Sequence, residues 1–549
     1  MNDINRISLC MILILLTCRS WSQNPFTEKT FGTVHSESCF SFIHTSDNGY
    51  AILGGTTATA FGGLDIYLSK LDSNENLQWT KIYGGPGNDQ GGTVKQTLDG
   101  GYIISGDENG FGAGLADCYL IRTDSQGTII WSKTYGLSQS ETFWKIVLTS
   151  DSNYIAVGTS YSSGNQSGDI LVAKLNDFGD TLWTRFIGGP VYDSGINLTP
   201  TDDGGCAICG RVYSYGAGLR DVMLCRIDAN GNILWFKTYG GLYTEEGMAV
   251  AHTSDNGFII TGASESFSNN QYYDVYMIKT DSAGNVIWSK NYGGDNIDAT
   301  YCIVEAPDGG YVVAGFTDSW PHLHLRTNDP LTILGDDSSH VFLMKVNVLG
   351  DTVWSRAFGG TTQDEAYALI NAPGGGYIIG AYSNSFSGND SLDAYIIHTD
   401  SMGNSGCHTF FISPHIMNPN TITNSYIPTV TAAGLIVANA PTGEDTVVFQ
   451  TNDPCLGVSV EENISIQITG NIFPNPFNTS ATLRFSENLN LPMTLKMFDV
   501  FGKTIRTEEI SAPTNEIKIE RKNLTDGIYF VEINSATKNI LRTKIIVTR

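Results

Sequence analysis

The sequence predicts an all-β chain, and three observations carry the prediction. A motif recurs along most of its length: Trp79, Trp131, Trp183, Trp235, Trp288 and Trp354 stand 52, 52, 52, 53 and 66 residues apart. Between these tryptophans lie short aliphatic or alternating runs, none long enough or periodic enough at 3.6 to make a helix. The chain also holds 60 glycines and 25 tyrosines, a composition suited to many strands joined by tight turns.

The first element is a leader. Arg6 precedes the apolar run from Ile7 to Leu16, and Ser20 and Ser22 offer small residues before Gln23. Residues 1–22 therefore read as a secretory signal. Leu15-Leu16-Thr17-Cys18 loosely resembles a lipoprotein box, with Thr17 as the misfit. No apolar run is long enough to span a bilayer, so no membrane span is predicted.

Residues 23–404 hold the repeats. One unit runs from Gly84 to Gly136, with an acid at Asp89, a turn at Asp99-Gly100-Gly101-Tyr102 and a second turn at Asp124-Ser125-Gln126-Gly127. Each unit carries four strand-like runs, for example Met248 to His252, Phe258 to Gly262, Val275 to Lys279 and Val286 to Lys290. Four antiparallel strands per repeat is the pattern of a propeller blade. The first turn recurs at Asp47, Asp99, Asp151, Asp203, Asp255, Asp308 and Gly374, which makes seven turns against six tryptophans. Lys29-Thr30-Phe31-Gly32 matches Lys133-Thr134-Tyr135-Gly136, and the seventh unit stops at Asn404 without its own last strand. The expectation is a seven-bladed β-propeller with four-stranded blades, in which Thr27 to Phe31 pairs with Ala394 to His398 and closes the ring. From Gly32 to about Asn404 the repeat resembles secreted bacterial β-propeller repeat proteins, a resemblance that says little about function.

Residues 405–465 read as a bridging segment rich in Thr, Asn, Ala and Pro, with some β-pattern at Gly434 to Asn439 and Thr446 to Gln450. Cys407 and Cys455 stand near its ends, either joined as a disulfide or both unpaired. From Ile472 the signature changes. Phe473-Pro474-Asn475-Pro476-Phe477, then Asp499-Val500-Phe501-Gly502, Asp526-Gly527-Ile528-Tyr529 and the terminal Thr543 to Arg549 follow in order. These motifs resemble the type A C-terminal sorting domain of the type IX secretion system. The resemblance implies a small C-terminal β-sandwich of seven strands over residues 466–549. It implies a sorting signal carried by Pro474, Asn475, Pro476, Gly502, Gly527, Tyr529, Lys544 and Arg549. It further implies the type IX machinery as a partner and passage through the periplasm and outer membrane to the cell surface or exterior. The resemblance also implies that the domain can be removed, with release or attachment to surface lipopolysaccharide.

Acids outnumber bases 56 to 31, a net charge of -25. That excludes nucleic acid as a partner, because phosphate binding needs clustered Lys and Arg. An acid recurs in each inter-blade loop: Glu37, Asp89, Glu141, Asp193, Glu245, Asp298 and Asp364. Two readings are open. The seven carboxylates ring the channel mouth and hold a cation such as Ca²⁺, or each caps its own turn; their regularity favours the second, and no cofactor is required. A second acid opens the third strand of each unit at Asp65, Asp117, Asp169, Asp221, Asp274 and Asp393, where the sixth unit has His340. That unit also carries an insertion near Ser319 to Ser339 with Trp320, His322, His324 and Arg326. The insertion reads as an exposed loop, a ligand-contacting loop or, through its histidines, a transition-metal site. Cys206 and Cys209 are three apart on a strand and face opposite ways, with Cys206 placed to lie across from Cys225. The residue three before each turn Asp varies from unit to unit, from His44 and Gln96 to Glu305 and Asn371.

No Gly-x-Ser-x-Gly elbow, phosphate loop or His-Glu-x-x-His motif occurs. The sequence thus points to a non-catalytic binding or adhesion module for glycan or protein, displayed or released. The alternatives are a propeller hydrolase or lyase acting on polysaccharide at the channel mouth near blade six, and a purely structural surface component.

Overall fold

The computed structural model describes residues 27–58, 61–162, 167–319, 339–387, 391–406, 408–431, 435–440, 443–447, 449–452, 470–473, 477–489, 493–498, 503–510, 514–522, 524–535 and 539–548. The leader, Cys407, Cys455 and the segment from Trp320 to Ser338 lie outside them. Regular structure among the described residues is all strand. Two compact units divide the chain, residues 1–458 and 459–549.

In the first unit the turns explain the strands. In the Asp-Gly-Gly and Asp-Asn-Gly corners the turn aspartate accepts from a backbone N–H two residues on and, except at Asp308 where Ala306 stands, from a threonine hydroxyl two residues back, as Asp47 does from Gly49 and Thr45. The residue after it takes a positive φ, 64° at Asn48 and 85° at Gly100, which is why Gly or Asn stands there. A base on the third strand of six sheets reaches that aspartate: Lys70, Arg122, Lys174, Arg226, Lys279 and Lys345 lie 2.5–2.9 Å from their partners. In the seventh sheet Gly374 replaces the aspartate, and His398, at the base's position, turns to Glu75 at 3.1 Å.

Among the described residues this unit forms seven antiparallel sheets of five strands each. The second sheet, for example, runs Asp89–Gln96, Tyr102–Glu108, Asp117–Thr123 and Ile129–Gly136. The expected completion of the seventh sheet is present: Glu28–Gly32 pairs with Asp393–Thr399, Glu28 opposite Ile397 and Phe31 opposite Ala394. Thr27 continues the pairing by accepting the His398 N–H at 2.8 Å.

The fifth strand of every sheet corrects the sequence reading. Residues 405–465 were expected to bridge. Instead, seven strands of three or four residues cross the outer edges of the sheets in reverse order. Thr409–Phe411 pairs with the sixth sheet, His415–Met417 with the fifth and Ile422–Ser425 with the fourth. Thr429–Thr431, Ile436–Asn439, Gly443–Thr446 and Gln450–Asn452 then take the third, second, first and seventh. The physical reason is the edge itself: each fourth strand would otherwise present unpaired N–H and C=O groups.

Each sheet buries both faces against its neighbours. Seven apolar clusters lie between consecutive sheets, the last of them joining Phe42 and Ile52 of the first sheet to Ile378 and Ile396 of the seventh. First strands of consecutive sheets touch, including those of the seventh and the first. The tryptophans sit at the same seams. Trp131 packs on Gly179 of the next sheet and donates from Nε1 to Asp177 O at 3.0 Å, while Tyr135 donates to Gly179 O at 2.7 Å. Cys206 pairs with Ile227 rather than Cys225, which stands diagonal to it on the same face; both thiols are free and buried. Cys209 belongs to the cluster on the opposite face, as expected.

Among the described residues the second unit holds seven strands in two sheets. Gly470–Phe473, Ser480–Leu489 and Thr514–Glu520 form one, and Thr504–Ile510, Met493–Phe498, Gly527–Ser535 and Asn539–Val547 the other. One apolar cluster joins them, with Leu483 and Ile519 against Leu495, Val531, Ile533 and Ile545.

Candidate functional site

Six of the seven loop acids begin first strands, Glu37 stands in an isolated bridge to Thr56 just before its strand, and each of the seven is fully buried. Each accepts a backbone N–H from four residues back, at 2.7–2.9 Å: Glu37 from Thr33, Asp89 from Gly85, Glu141 from Leu137, Asp193 from Gly189, Glu245 from Gly241, Asp298 from Gly294 and Asp364 from Gly360. Hydroxyls fill further lone pairs, as Thr56 does for Glu37 and Ser385 for Asp364, both at 2.7 Å. The seven therefore do not form a ring of open carboxylates; they sit in seams. Among the described residues no three His, Cys, Asp or Glu side chains are placed to hold a metal ion.

Each acid faces a group from the sheet before it. The N–H of Asp89 bonds Leu64 O beside Asp65, and the equivalent bond joins Asp364 to Ser339 O beside His340. Both carboxylate oxygens of Asp65 and Oδ1 of Asp89 are buried with no hydrogen-bond partner among the described residues. Burial, then repulsion from Asp89, pushes Asp65 up to about 7. Burial, with Asp298 and Glu37 respectively, does the same for Asp274 and Asp393. Two carboxyls held together away from water cannot both ionise cheaply, so each such seam favours a retained proton. His340 is buried at the sixth sheet's equivalent place, and burial raises Asp364 to about 6. Trp320, His322, His324 and Arg326 lie outside the described residues.

Polar and aromatic side chains that break the repeat gather just beyond these acids. Six first strands carry a β-bulge at the third residue after the acid, the position of Gly92, Trp144, Ile196, Met248, Tyr301 and Tyr367. A bulge re-aims its side chain. Here it brings Tyr301 and Tyr367 of adjacent sheets into a parallel stack, with centroids 4.6 Å apart and planes at 7°. Phe316 continues the stack beyond Tyr301 at 5.9 Å, Tyr382 beyond Tyr367 at 5.6 Å, and Phe40 meets Tyr367 edge-on. Glu365 lies against this platform. It accepts from Tyr367 Oη at 3.0 Å, Gln363 Nε2 at 2.7 Å and Ser339 Oγ at 3.3 Å. Burial, then Glu365, Glu246 and Asp318, raise the Tyr301 hydroxyl, which places both glutamates within electrostatic reach of one ring.

Glu246 links the platform to a second group. Arg220 pairs with it, and Arg211 does so at 3.3 Å. Arg211 lies over Tyr192 at 5.7 Å and Arg220 over Tyr213 at 5.5 Å, while Arg220 also donates to Tyr273 Oη at 2.7 Å. Burial works to raise Tyr192, but Ser194 and Arg211 outweigh it and hold the hydroxyl below the usual tyrosine range. Flat aromatic faces beside a carboxylate, an amide and two guanidinia can stack on an apolar ring face and bond hydroxyls at its rim.

Sequence reasoning missed these residues, although a signal existed. The residue after each acid and its cross-strand partner vary within the constant frame: Gln90 with Asp107, Thr142 with Thr159, Ser194 with Arg211, Glu246 with Ala263, Ala299 with Phe316 and Glu365 with Tyr382. The varying residues at the other strand end serve turns instead. Gln96 bonds Ser46 N, and Glu305 bonds Ser254 N. Gln96 also lines a cleft of about 640 Å³ between the first two sheets, together with Asp47, Lys70, Trp79 and Gln126. Its charged pair, Asp47 and Lys70, is already spent on the turn.

Residues 471–548 match the family model described as the secretion system C-terminal sorting domain. Of the sorting residues, Gly527 and Tyr529 open the strand Gly527–Ser535, and Lys544 lies on Asn539–Val547. Pro474, Asn475, Pro476, Gly502 and Arg549 lie outside the described residues. The chain is also 30% identical over 241 residues to the regulatory protein FlaEY of Caulobacter vibrioides, a match covering 39% of this chain. It spans only 25% of that relative's length. The sorting domain marks this chain for type IX export to the cell surface or extracellular space.

Proposed function

We propose that this chain is an exported seven-bladed β-propeller that binds a glycan in the aromatic cup at one mouth of its channel. Residues 1–22 act in this reading as the leader for the first export step, and the C-terminal unit engages the type IX machinery for the second. The propeller reading is supported by seven apolar seams, including the one between the seventh sheet and the first, and by first strands that touch in sequence.

One observation carries the binding reading: the parallel stack of Tyr301 on Tyr367 beside Glu365, built by bulges at positions where other sheets have unrelated residues. Sugar rings offer apolar faces to aromatic stacks and hydroxyls to carboxylates and amides. Mature protein on a glycan array is expected to select a defined class of oligosaccharide. Tyr367→Ala is expected to reduce that binding at least tenfold, on the order of 1.4 kcal/mol. Selective capture of proteins with no glycan signal would instead favour a protein ligand.

The hydrolase or lyase reading keeps one supporting observation, the action of both Glu246 and Glu365 on Tyr301. Paired carboxylates serve glycoside cleavage. Turnover of an array hit, lost in both Glu246→Gln and Glu365→Gln, would replace the binding reading with the catalytic one.

A further inference from the structure

Arg211 and Arg220 are cations of the fourth sheet that lie outside the repeat's pattern. Arg211 stands where the third and fifth sheets have Thr159 and Ala263, and Arg220 where they have Gly168 and Tyr273. Both reach one carboxylate. Arg211 Nη1 lies 3.3 Å from each oxygen of Glu246, and Arg220 Nη2 pairs with Glu246 Oε1. Among the described residues no second carboxylate pairs with either arginine, so two full positive charges share one negative. Nε of both guanidinia is buried without a partner. Arg211 spends only Nη1 on Glu246 and its side chain stays 27% exposed, so a dissolved anion can reach it.

Rings hold the pair in place. Arg211 lies over Tyr192 at 5.7 Å and Arg220 over Tyr213 at 5.5 Å. Tyr213 and Tyr273 hydroxyls accept from Arg220 at 3.1 and 2.7 Å. Tyr161 and Tyr213 flank Tyr192, each with its centroid 5.9 Å away, and both are exposed. The group gathers at the strand ends where the seam acids sit, with Tyr192 just before Asp193 and Arg220 just before Asp221. A guanidinium stacked on a ring presents its fork in a fixed plane, which suits bidentate contact with an oxyanion. Ring contact stabilises a cation without neutralising it, so the unbalanced charge in this half-buried place still favours a second anion. We infer that Arg211 and Arg220 form an oxyanion site at this end of the fourth sheet, able to take sulfate, phosphate or the acidic substituent of a sugar. The assignment rests on the arginine pair alone and stands whether or not the platform of Tyr301 and Tyr367 binds a glycan.

The test uses the full mature chain and three probes: sodium sulfate, sodium selenate and a sulfated disaccharide. Sulfate is expected to raise the thermal midpoint saturably, beyond sodium chloride at equal ionic strength. Arg211→Gln is expected to weaken that response at least about tenfold, and Arg211→Lys to restore only part of it, because lysine keeps the charge without the fork. Glu246→Gln removes the anion with which sulfate competes, and is expected to strengthen the sulfate response about threefold or more. Selenate soaked into wild-type crystals is expected to give an anomalous peak within hydrogen-bond distance of Arg211, which needs no variant to fold. A sulfated disaccharide acting at lower concentration than free sulfate, and failing in Arg211→Gln, assigns the oxyanion to a glycan; equal potency assigns it to the free ion. No selenate peak, an unchanged sulfate response in Arg211→Gln, or a Glu246→Gln variant that loses stability with no gain in sulfate response overturns the site and leaves a structural ion pair. Tyr367→Ala leaves the sulfate response intact, so failure of the platform and failure of the oxyanion site are told apart.

Discussion

At the scale of single residues, the frame was legible because it repeats, and the tyrosine stack was not because it does not. Turn aspartates, seam acids and tryptophans recur at constant steps, so their shared role can be read from spacing alone. Tyr301 and Tyr367 are brought into their stack by bulges, and a bulge leaves no mark in a single strand's alternation. The same contrast separates glycines that look alike. A Cβ on Gly179 would meet Trp131 and the Tyr135 hydroxyl at 2.8 Å, on a backbone with φ of +74°. At Gly204, with φ of +81°, the nearest atom lies 3.5 Å away. Gly204→Ala is expected to cost about 1 kcal/mol, the penalty of the left-handed conformation alone. Gly179→Ala adds overlap in a packed seam and is expected to cost at least about 3 kcal/mol. Urea unfolding of the two variants checks the difference, and equal losses would mean that the tryptophan seam does not bear on stability.

At the scale of elements, the strands of residues 409–452 mark the limit of sequence reading. Segments such as Ile422–Ser425 are too short to show alternation, and their reason for being strands lies in the edges they cover. The belt is held by a few anchors. Tyr426 packs on Tyr215 at 5.0 Å and its hydroxyl accepts from Gly216 N at 3.1 Å; Phe449 meets Tyr67 at 4.8 Å. Such short strands should open locally well below the free energy of global unfolding. Tyr426→Ala is expected to lower the local opening free energy by about 2 kcal/mol. Hydrogen exchange should then quicken in Ile422–Ser425 and its partner edge while the inner strands stay protected. Uniform quickening across the fourth sheet would show instead that belt and sheet open together.

At the scale of the whole molecule, the seven sheets and the completion of the last by Glu28–Gly32 were legible, because a count of seven turns against six tryptophans leaves one strand to be supplied from elsewhere. Seven seams also make stability depend on pH in a direction that surface charge alone does not give. Burial, then an acid neighbour, raises Asp65, Asp274 and Asp393 to about 7 and Asp221 to about 6, and burial raises Asp298 to about 6. An unfolded aspartate titrates near 3.9. The folded state therefore binds more protons between about pH 4 and 7, and the stability these groups contribute is full below about 4 and lost as pH rises through 6 to 7. The turn aspartates act oppositely. Asp47 and Asp203 are held down to about 2 by their Lys70 and Arg226 partners against a larger upward push from burial, and Asp99 by Thr97 and Arg122. Their contribution is present above about 4 and lost as pH falls toward 2. Lys95, lowered to about 8, acts only above that pH. The thermal midpoint is thus expected to peak near pH 5 and to fall by roughly 5 °C or more toward pH 8. Replacing Asp65, Asp274 and Asp393 with Asn removes three ionisations from the seams, so the variant's midpoint should fall less than the wild type's between pH 5 and 8, with Asp221 and Asp298 carrying the remainder. A wild-type midpoint that climbs steadily over that interval would mean the seam carboxyls ionise freely, and that the pairs are not the proton-holding joints their burial implies.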